Sequence, residues 1–118
     1  MLNLVKTLVL FCALGLSTQA LAAEKFWIVL PLGTSGGLAE GNMSCYLIAP
    51  KGSDKFIALD GGTVREGFYA AKESGAFNKL ALTDKKAALE NPLSLIHAYL
   101  ISHAHLDHIA GMIINSPE

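Results

Sequence analysis

The stretch "SLIHAYLIS", residues 94–102, constrains the fold of this chain more than any other. Apolar and β-forming residues fill almost all of its positions, a pattern that predicts a largely buried strand. A strand of this kind needs neighbours in a sheet and cover on its faces, so we expect a layered domain. The strand runs directly into "HAHLDH", residues 103–108, and therefore places this segment at the end of a strand.

Three more strands are predicted upstream. "KFWIVLPLG", residues 25–33, is apolar and ends at a proline and a glycine, which suits a buried first strand. A second strand covers about residues 43–49, and "KFIALD", residues 55–60, forms the third. The turn residues "PKGSD" separate the second and third strands, so we expect these two to form a hairpin.

The periodicity changes from strand to helix after "DGGT". Thr63 and Glu66 match a capping box at the start of a helix. Its expected buried face carries Val64, Gly67, Phe68 and Ala71. "TDKKAALE", residues 83–90, predicts a shorter helix that ends at Asn91-Pro92. A last helix is expected after the histidine-rich segment, with Ile109, Met112 and Ile113 facing inward.

Strands and helices in this order predict an α/β domain. The chain has 118 residues, and the first 23 have the pattern of a signal peptide. The residues that remain are few for such a layered domain. We therefore expect residues 24–118 to be the N-terminal portion of a larger domain, of which this chain contains only a part. The net charge of −1 and the lack of a long basic run give no indication of binding to a nucleic acid polymer or a membrane surface.

The N-terminus has the order of a secretory signal peptide. Lys6 precedes an apolar run at residues 7–16, and small residues follow up to Ala23. A run of this length falls short of the roughly 20 residues that cross a bilayer as a helix, so no stable membrane anchor is expected. The sequence predicts a signal peptide over residues 1–23 and a periplasmic or secreted protein. Cys45 would then be the only cysteine after cleavage, and we expect it to be a buried thiol.

"HAHLDH" has the residue types of a metal site. His103 and His105 are two positions apart in an extended segment, so their side chains can face one ion. Asp107 and His108 follow where the chain turns toward a helix, and they can face a second ion. Zinc suits imidazole and carboxylate ligands, and manganese or iron are less selective alternatives. Solvated loop histidines, or polar residues that cap a helix, are the alternative interpretation.

The same residues resemble a known family. "HAHLDH" is similar to the HxHxDH signature of the metallo-β-lactamase superfamily, and "HAHLDHIAGMIINSP" closely resembles the longer signature of the class II 3′,5′-cyclic-nucleotide phosphodiesterases. "LGTSGG", "LDGGT" and the signal peptide are also similar to bacterial members. The resemblance implies an αββα sandwich of the metallo-β-lactamase type, of which this chain would contain the N-terminal part.

The resemblance also implies a reaction and a site. His103 and His105 would bind the first of two divalent ions, zinc being the expected metal, and Asp107 and His108 would bind the second. Asp60 would orient the metal-binding loops, and an Asp-Gly-Gly turn that caps the following helix is the alternative interpretation. The substrate would be cyclic AMP or cyclic GMP, hydrolysed to the nucleoside 5′-monophosphate. As a separate hypothesis about the mechanism, Asp107 would be the catalytic residue that orients the hydroxide and passes a proton to the leaving 3′ oxygen.

Two alternatives stay open. The six-residue signature is also compatible with a metallo-β-lactamase-like hydrolase that acts on a β-lactam, thioester, lactone or sulfate ester. The superfamily adds further histidines and a bridging aspartate that have no counterpart in this sequence, and His97 is expected to be structural. An inactive secreted fragment is therefore the second alternative, and we expect no hydrolysis of cyclic AMP by the 118 residues alone.

Overall fold

A computed structural model describes residues 26–80, 82 and 85–116, and in this part of the chain four strands form a single sheet. The strands are β1 (Trp27–Gly33), β2 (Cys45–Pro50), β3 (Phe56–Leu59) and β4 (Ile96–Leu100). They lie in the order β1-β2-β3-β4; β2 is antiparallel to β1 and to β3, whereas β4 is parallel to β3. The predicted hairpin of the second and third strands is confirmed. The predicted signal peptide, residues 1–23, lies outside the described residues.

Three helices accompany the sheet in the described part of the chain: α1 (Arg65–Glu73), α2 (Lys85–Glu90) and α3 (Leu106–Ile114). Short 3₁₀ segments cover Ala76–Lys79 and Pro92–Leu95. The parallel pairing of β3 and β4 requires a long crossover, and α1 and α2 lie within it. The predicted α/β class is confirmed, while a second sheet is not present among the residues that the structure describes.

Helix α1 packs its apolar stripe on the inner face of the sheet. Gly67, Phe68 and Ala71 are buried, as the periodicity predicts. The predicted capping box is wrong, because the helix begins after Val64 without a side-chain cap. The hydroxyl oxygen of Thr63 instead accepts a hydrogen bond of 2.8 Å from the backbone N–H of Met43. Thr63 therefore ties the start of α1 to the loop before β2.

Alternate residues of the strands point into one hydrophobic core. Leu47, Phe56 and Ala58 have no exposed surface, and the ring of Phe68 stacks on that of Phe77 with centroids 5.9 Å apart. Cys45 belongs to the same core and is fully buried, as predicted. The core lies between the inner face of the sheet and α1.

The opposite face of the sheet is apolar and largely exposed. Trp27 is 61% exposed, Val29 59% and Leu100 59%, and Ile57 and Leu59 belong to the same face. The prediction of a largely buried fourth strand is wrong for the described residues, because β4 is an edge strand that pairs only with β3 and is covered on its inner side alone. Apolar composition does not distinguish a covered face from an open one.

Helix α3 is present as predicted, but it begins at Leu106, within the histidine-rich segment, and not after it. Ile109 and Met112 are half-buried, but Ile113 is 55% exposed, so its predicted inward orientation is wrong. No helix in the described ranges combines the length and the apolar character that crossing a bilayer requires.

Candidate metal centre

The four predicted ligands lie where the chain leaves β4 and enters α3. His103 and His105 are in the extended segment after β4, and Asp107 and His108 are in the first turn of α3. The sheet fixes the start of this segment and the helix fixes its end. Such a junction can present several side chains of a short sequence to the same region of space.

The structure brings all four side chains together. His103 Nε2 lies 3.1 Å from His105 Nδ1, and His108 Nε2 lies 3.3 Å from Asp107 Oδ2. The rings of His103 and His108 are in contact, with centroids 4.0 Å apart. Three imidazoles and a carboxylate thus form one cluster.

Asp60 lies beneath this cluster at the end of β3. Its φ of 59° is in the left-handed region, which aspartate tolerates better than most residues. Its backbone N–H donates a hydrogen bond of 2.9 Å to the carbonyl of Leu100, which joins the ends of β3 and β4. Its Oδ2 lies 2.7 Å from His108 Nδ1. The residue that the sequence singled out as an orienting aspartate is therefore in contact with one of the predicted ligands.

The carboxylate of Asp60 is held as an anion. Burial on its own would raise the pKa of this carboxyl group, but hydrogen bonds from the backbone and hydroxyl of Ser102 and from His108 outweigh that effect and lower the pKa below its ordinary value. The hydroxyl of Ser44 adds a longer contact of 3.4 Å. Asp60 is consequently ionised at neutral pH and can accept several hydrogen bonds at once.

Close backbone contacts hold α3 against residues 60–62, the Asp60 segment. The backbone N–H groups of Gly111 and Met112 donate to the carbonyls of Gly62 and Gly61, each at 2.8 Å. A Cβ atom at Gly111 would lie 2.6 Å from the carbonyl oxygen of Gly62, and one at Gly62 would overlap the carbonyl oxygen of Asp107. The glycines of "LDGGT" and "IAGM" therefore permit a backbone approach that side chains would prevent.

The loop between β1 and β2 also reaches the cluster. The backbone N–H of Gly37 donates a hydrogen bond of 2.8 Å to Asp107 Oδ2, across 70 positions of sequence. This hydrogen bond is the main reason that the pKa of Asp107 is below its ordinary value. The loop that contains "GTSGG" therefore contacts a predicted ligand.

His97 lies within β4, and Ser102 follows the end of that strand. His97 is outside the cluster and its Nδ1 lies 3.4 Å from the carbonyl oxygen of Leu95, a local contact of the kind expected for a structural histidine. Ser102 was missed by the sequence reasoning, yet its hydroxyl lies 2.8 Å from Asp60 Oδ1 and 3.0 Å from His103 Nδ1. The signal that could have found Ser102 is its position, since it is a polar residue between an apolar strand and the first histidine.

The donor set is compatible with divalent metal ions. Imidazole nitrogen and carboxylate oxygen are ordinary zinc ligands, and the 3.1 Å between His103 Nε2 and His105 Nδ1 is close to the roughly 3.3 Å expected for two nitrogen ligands of one tetrahedral ion. In the described ranges, no group of three or more histidine, cysteine, aspartate or glutamate side chains has an arrangement that would hold a metal ion. The residue types and spacing therefore fit a metal site, whereas a complete coordination shell is not formed by these side chains.

Comparison with known proteins identifies related sequences. A family model described as "cAMP phosphodiesterases class-II" matches residues 21–118. A 3′,5′-cyclic-nucleotide phosphodiesterase of Aliivibrio fischeri is 36% identical over 116 residues, which cover 96% of this chain and 35% of the relative. No solved structure matches the chain significantly.

Two other relatives have higher identity over shorter alignments. The cAMP/cGMP-dependent 3′,5′-cAMP/cGMP phosphodiesterase A of Dictyostelium discoideum is 42% identical over 103 residues, covering 78% of this chain and 22% of the relative. A probable 3′,5′-cyclic-nucleotide phosphodiesterase of Yersinia pestis is 42% identical over 98 residues, covering 76% of this chain and 27% of the relative. The chain spans about a third or less of the length of these three relatives.

Proposed function

The chain belongs to the class II cAMP phosphodiesterases, and we propose that its full-length gene product hydrolyses 3′,5′-cyclic nucleotides to nucleoside 5′-monophosphates. The observation that carries the proposal is the cluster of His103, His105, Asp107 and His108 at the end of β4, with the ionised Asp60 beneath it. The names of the relatives support cyclic nucleotides over the esters, thioesters and lactams that other hydrolases with the same six-residue signature accept.

The proposed cofactors are two divalent ions, with zinc as the expected metal. His103 and His105 would hold one ion, and Asp107 and His108 the other, because these pairs are already neighbours in the structure. Remaining ligands would come from residues outside this set. The ions would supply Lewis acidity, which makes water a better nucleophile and neutralises charge on the phosphate.

The protein groups have separate tasks in the proposed reaction. Water attacks phosphorus opposite the 3′ oxygen, the P–O3′ bond breaks, and the leaving oxygen takes up a proton. Asp107 is proposed to orient the attacking water, since its lowered pKa keeps it ionised. Asp107 would accept a proton from that water and then donate this proton to the leaving 3′ oxygen. The Gly37 amide holds Asp107 Oδ2 and so limits the rotation of this carboxylate.

We also propose a fold for the whole domain and a cellular location for the protein. The exposed apolar face of the sheet, with Trp27, Val29, Ile57, Leu59 and Leu100, supports a second sheet packed on it, as in an αββα sandwich. Residues 1–23 are proposed to be a signal peptide that directs the protein to the periplasm or outside the cell.

The proposal is tested with the purified full-length gene product. We expect hydrolysis of cyclic AMP or cyclic GMP with the 5′-monophosphate as product, loss of turnover after chelation, and recovery with zinc. His105→Ala should lower turnover by at least about a hundredfold, while His97→Ala is the matched control and should retain it. Absence of cyclic-nucleotide hydrolysis, together with turnover of a lactone, thioester or sulfate ester, would assign the protein to another reaction.

A further inference from the structure

The hydroxyl of Ser102 lies between Asp60 and two of the proposed ligands. Its oxygen is 2.8 Å and 3.1 Å from the two carboxylate oxygens of Asp60, 3.0 Å from His103 Nδ1 and 3.3 Å from His108 Nδ1. The backbone N–H of Ser102 also donates to Asp60 Oδ1 at 2.8 Å. Ser102 is thereby fixed to the carboxylate at two points, which gives its side chain a defined position although the residue is exposed.

The direction of these hydrogen bonds follows from the available protons. A hydroxyl has one proton to donate, and an ionised carboxylate is a stronger acceptor than a neutral imidazole. The Ser102 hydroxyl therefore donates to Asp60, and its oxygen lone pairs accept the Nδ1–H of His103. His108 Nδ1–H donates directly to Asp60 Oδ2 at the shorter distance of 2.7 Å.

Both histidines are then in the same tautomer. With the proton on Nδ1, the Nε2 atoms of His103 and His108 carry the free lone pairs, and a histidine binds a metal through its unprotonated nitrogen. The Nε2 atom of His103 is the one that faces His105 Nδ1, and the Nε2 atom of His108 is the one that faces Asp107. The nitrogen atoms left free by these hydrogen bonds are thus the ones directed at the neighbouring donors.

We propose that Ser102 is a positioning residue that extends the influence of Asp60 from His108 to His103. A single buried carboxylate would then fix the tautomer and ring orientation of one ligand directly and of a second ligand through the Ser102 hydroxyl. The inference rests on the proposed function in taking His103 and His108 as metal ligands.

The experiment compares two substitutions of nearly equal shape in the full-length gene product. Ser102→Thr keeps the hydroxyl. Ser102→Val has the same shape as the threonine variant but carries a methyl group in place of that hydroxyl. Ser44→Ala is the matched control, because the Ser44 hydroxyl contacts Asp60 at 3.4 Å but no hydrogen bond joins it to a histidine. The histidine tautomers are measured by long-range ¹H–¹⁵N correlation in the metal-free protein, and zinc affinity is measured by competition with a chromophoric chelator.

We expect the wild type, Ser102→Thr and Ser44→Ala to keep the proton of His103 on Nδ1. Ser102→Val should give a mixture of His103 tautomers and weaken zinc binding by about 10–100-fold. An unchanged His103 tautomer in Ser102→Val, with zinc affinity within threefold of wild type, would overturn the inference. If Ser102→Val does not fold, Ser102→Ala gives the same comparison without added bulk.

The two proposals fail in different ways. The tautomer of His103 in the metal-free protein reports on Ser102 whether or not the protein turns over a substrate. Hydrolysis of cyclic nucleotides by the wild type reports on the proposed function whether or not Ser102 has the proposed role.

Discussion

At the scale of single residues, Asp60 acts on the thiol of Cys45 as well as on His108. Cys45 is fully buried, and this burial together with the negative charge of Asp60 raises the pKa of the thiol from 9.0 to about 12. The sequence predicted a buried thiol from the position of Cys45 in an apolar strand. It did not predict the effect of Asp60, which comes from a different strand.

We predict that Cys45 is inert toward alkylating reagents in the folded protein. A thiol with a pKa of about 12 in place of 9.0 presents roughly a thousandfold less thiolate at pH 8, and burial also blocks access. Alkylation of the Cys45 peptide by iodoacetamide, followed by mass spectrometry, should be at least about a hundredfold slower in buffer than in concentrated urea. Comparable rates in the two solvents would contradict the burial of this thiol.

Ser102 shows why some site residues escape sequence reasoning. The residue types in "HAHLDH" are those of ordinary metal ligands, so this short pattern by itself predicts a metal site. A serine at the end of a strand has many ordinary roles, and its contact with Asp60 spans 42 positions of sequence. Only the pairing of β3 with β4 brings these two residues together.

At the scale of elements, short sequence patterns correctly predicted the features that depend on neighbouring residues, namely a turn and the buried face of a helix. The turn "PKGSD" gave the hairpin of β2 and β3, and the spacing of Gly67, Phe68 and Ala71 gave the buried face of α1. The capping box failed because Thr63 is engaged by Met43, twenty positions away. Long-range contacts of this kind compete with local ones and cannot be read from a short window.

Gly111 tests the contact between α3 and the Asp60 segment. Alanine is the better helix former by about 1 kcal/mol, so propensity alone predicts that Gly111→Ala stabilises the protein. The Cβ atom would instead meet the backbone of Gly62 and Val64 at 2.6 Å and 2.9 Å. We predict that the free energy of unfolding of the full-length gene product falls by about 2 kcal/mol, measured by urea denaturation.

Gly36→Ala is the matched control, because its Cβ atom would meet only Asp107 Oδ2, at the ordinary contact distance of 3.9 Å. It should leave the free energy of unfolding within about 0.5 kcal/mol of wild type. A Gly111→Ala protein as stable as this control would show that α3 does not pack so closely on the segment.

At the scale of the whole molecule, the sheet has one covered face and one open face. The inner face packs on α1, whereas Ile57 and Leu59 are 40% and 36% exposed on the outer face, which also carries Trp27. The relatives are about three or more times longer than the aligned segment. The proposed αββα sandwich would cover the outer face, but sequence patterns within this chain cannot identify what covers it.

Ile57→Lys in the full-length gene product tests this part of the proposal. If a second sheet packs on the outer face, the substitution places a charge in a hydrophobic layer and should lower the free energy of unfolding by at least about 2 kcal/mol. Leu38→Lys, at a loop position that is 76% exposed, should have little effect. Equal stabilities of the two variants in urea denaturation would indicate that the outer face stays in contact with water.

The central claim is that "HAHLDH" contributes to a two-metal site that hydrolyses cyclic nucleotides. The most direct measurement is a zinc titration of the metal-free full-length gene product in which bound zinc and turnover of cyclic AMP and cyclic GMP are followed together. We predict that turnover of at least one of these nucleotides rises with bound zinc and reaches a plateau at two ions per chain. Full turnover in the metal-free protein, or no turnover of either nucleotide with two zinc ions bound, would contradict the account.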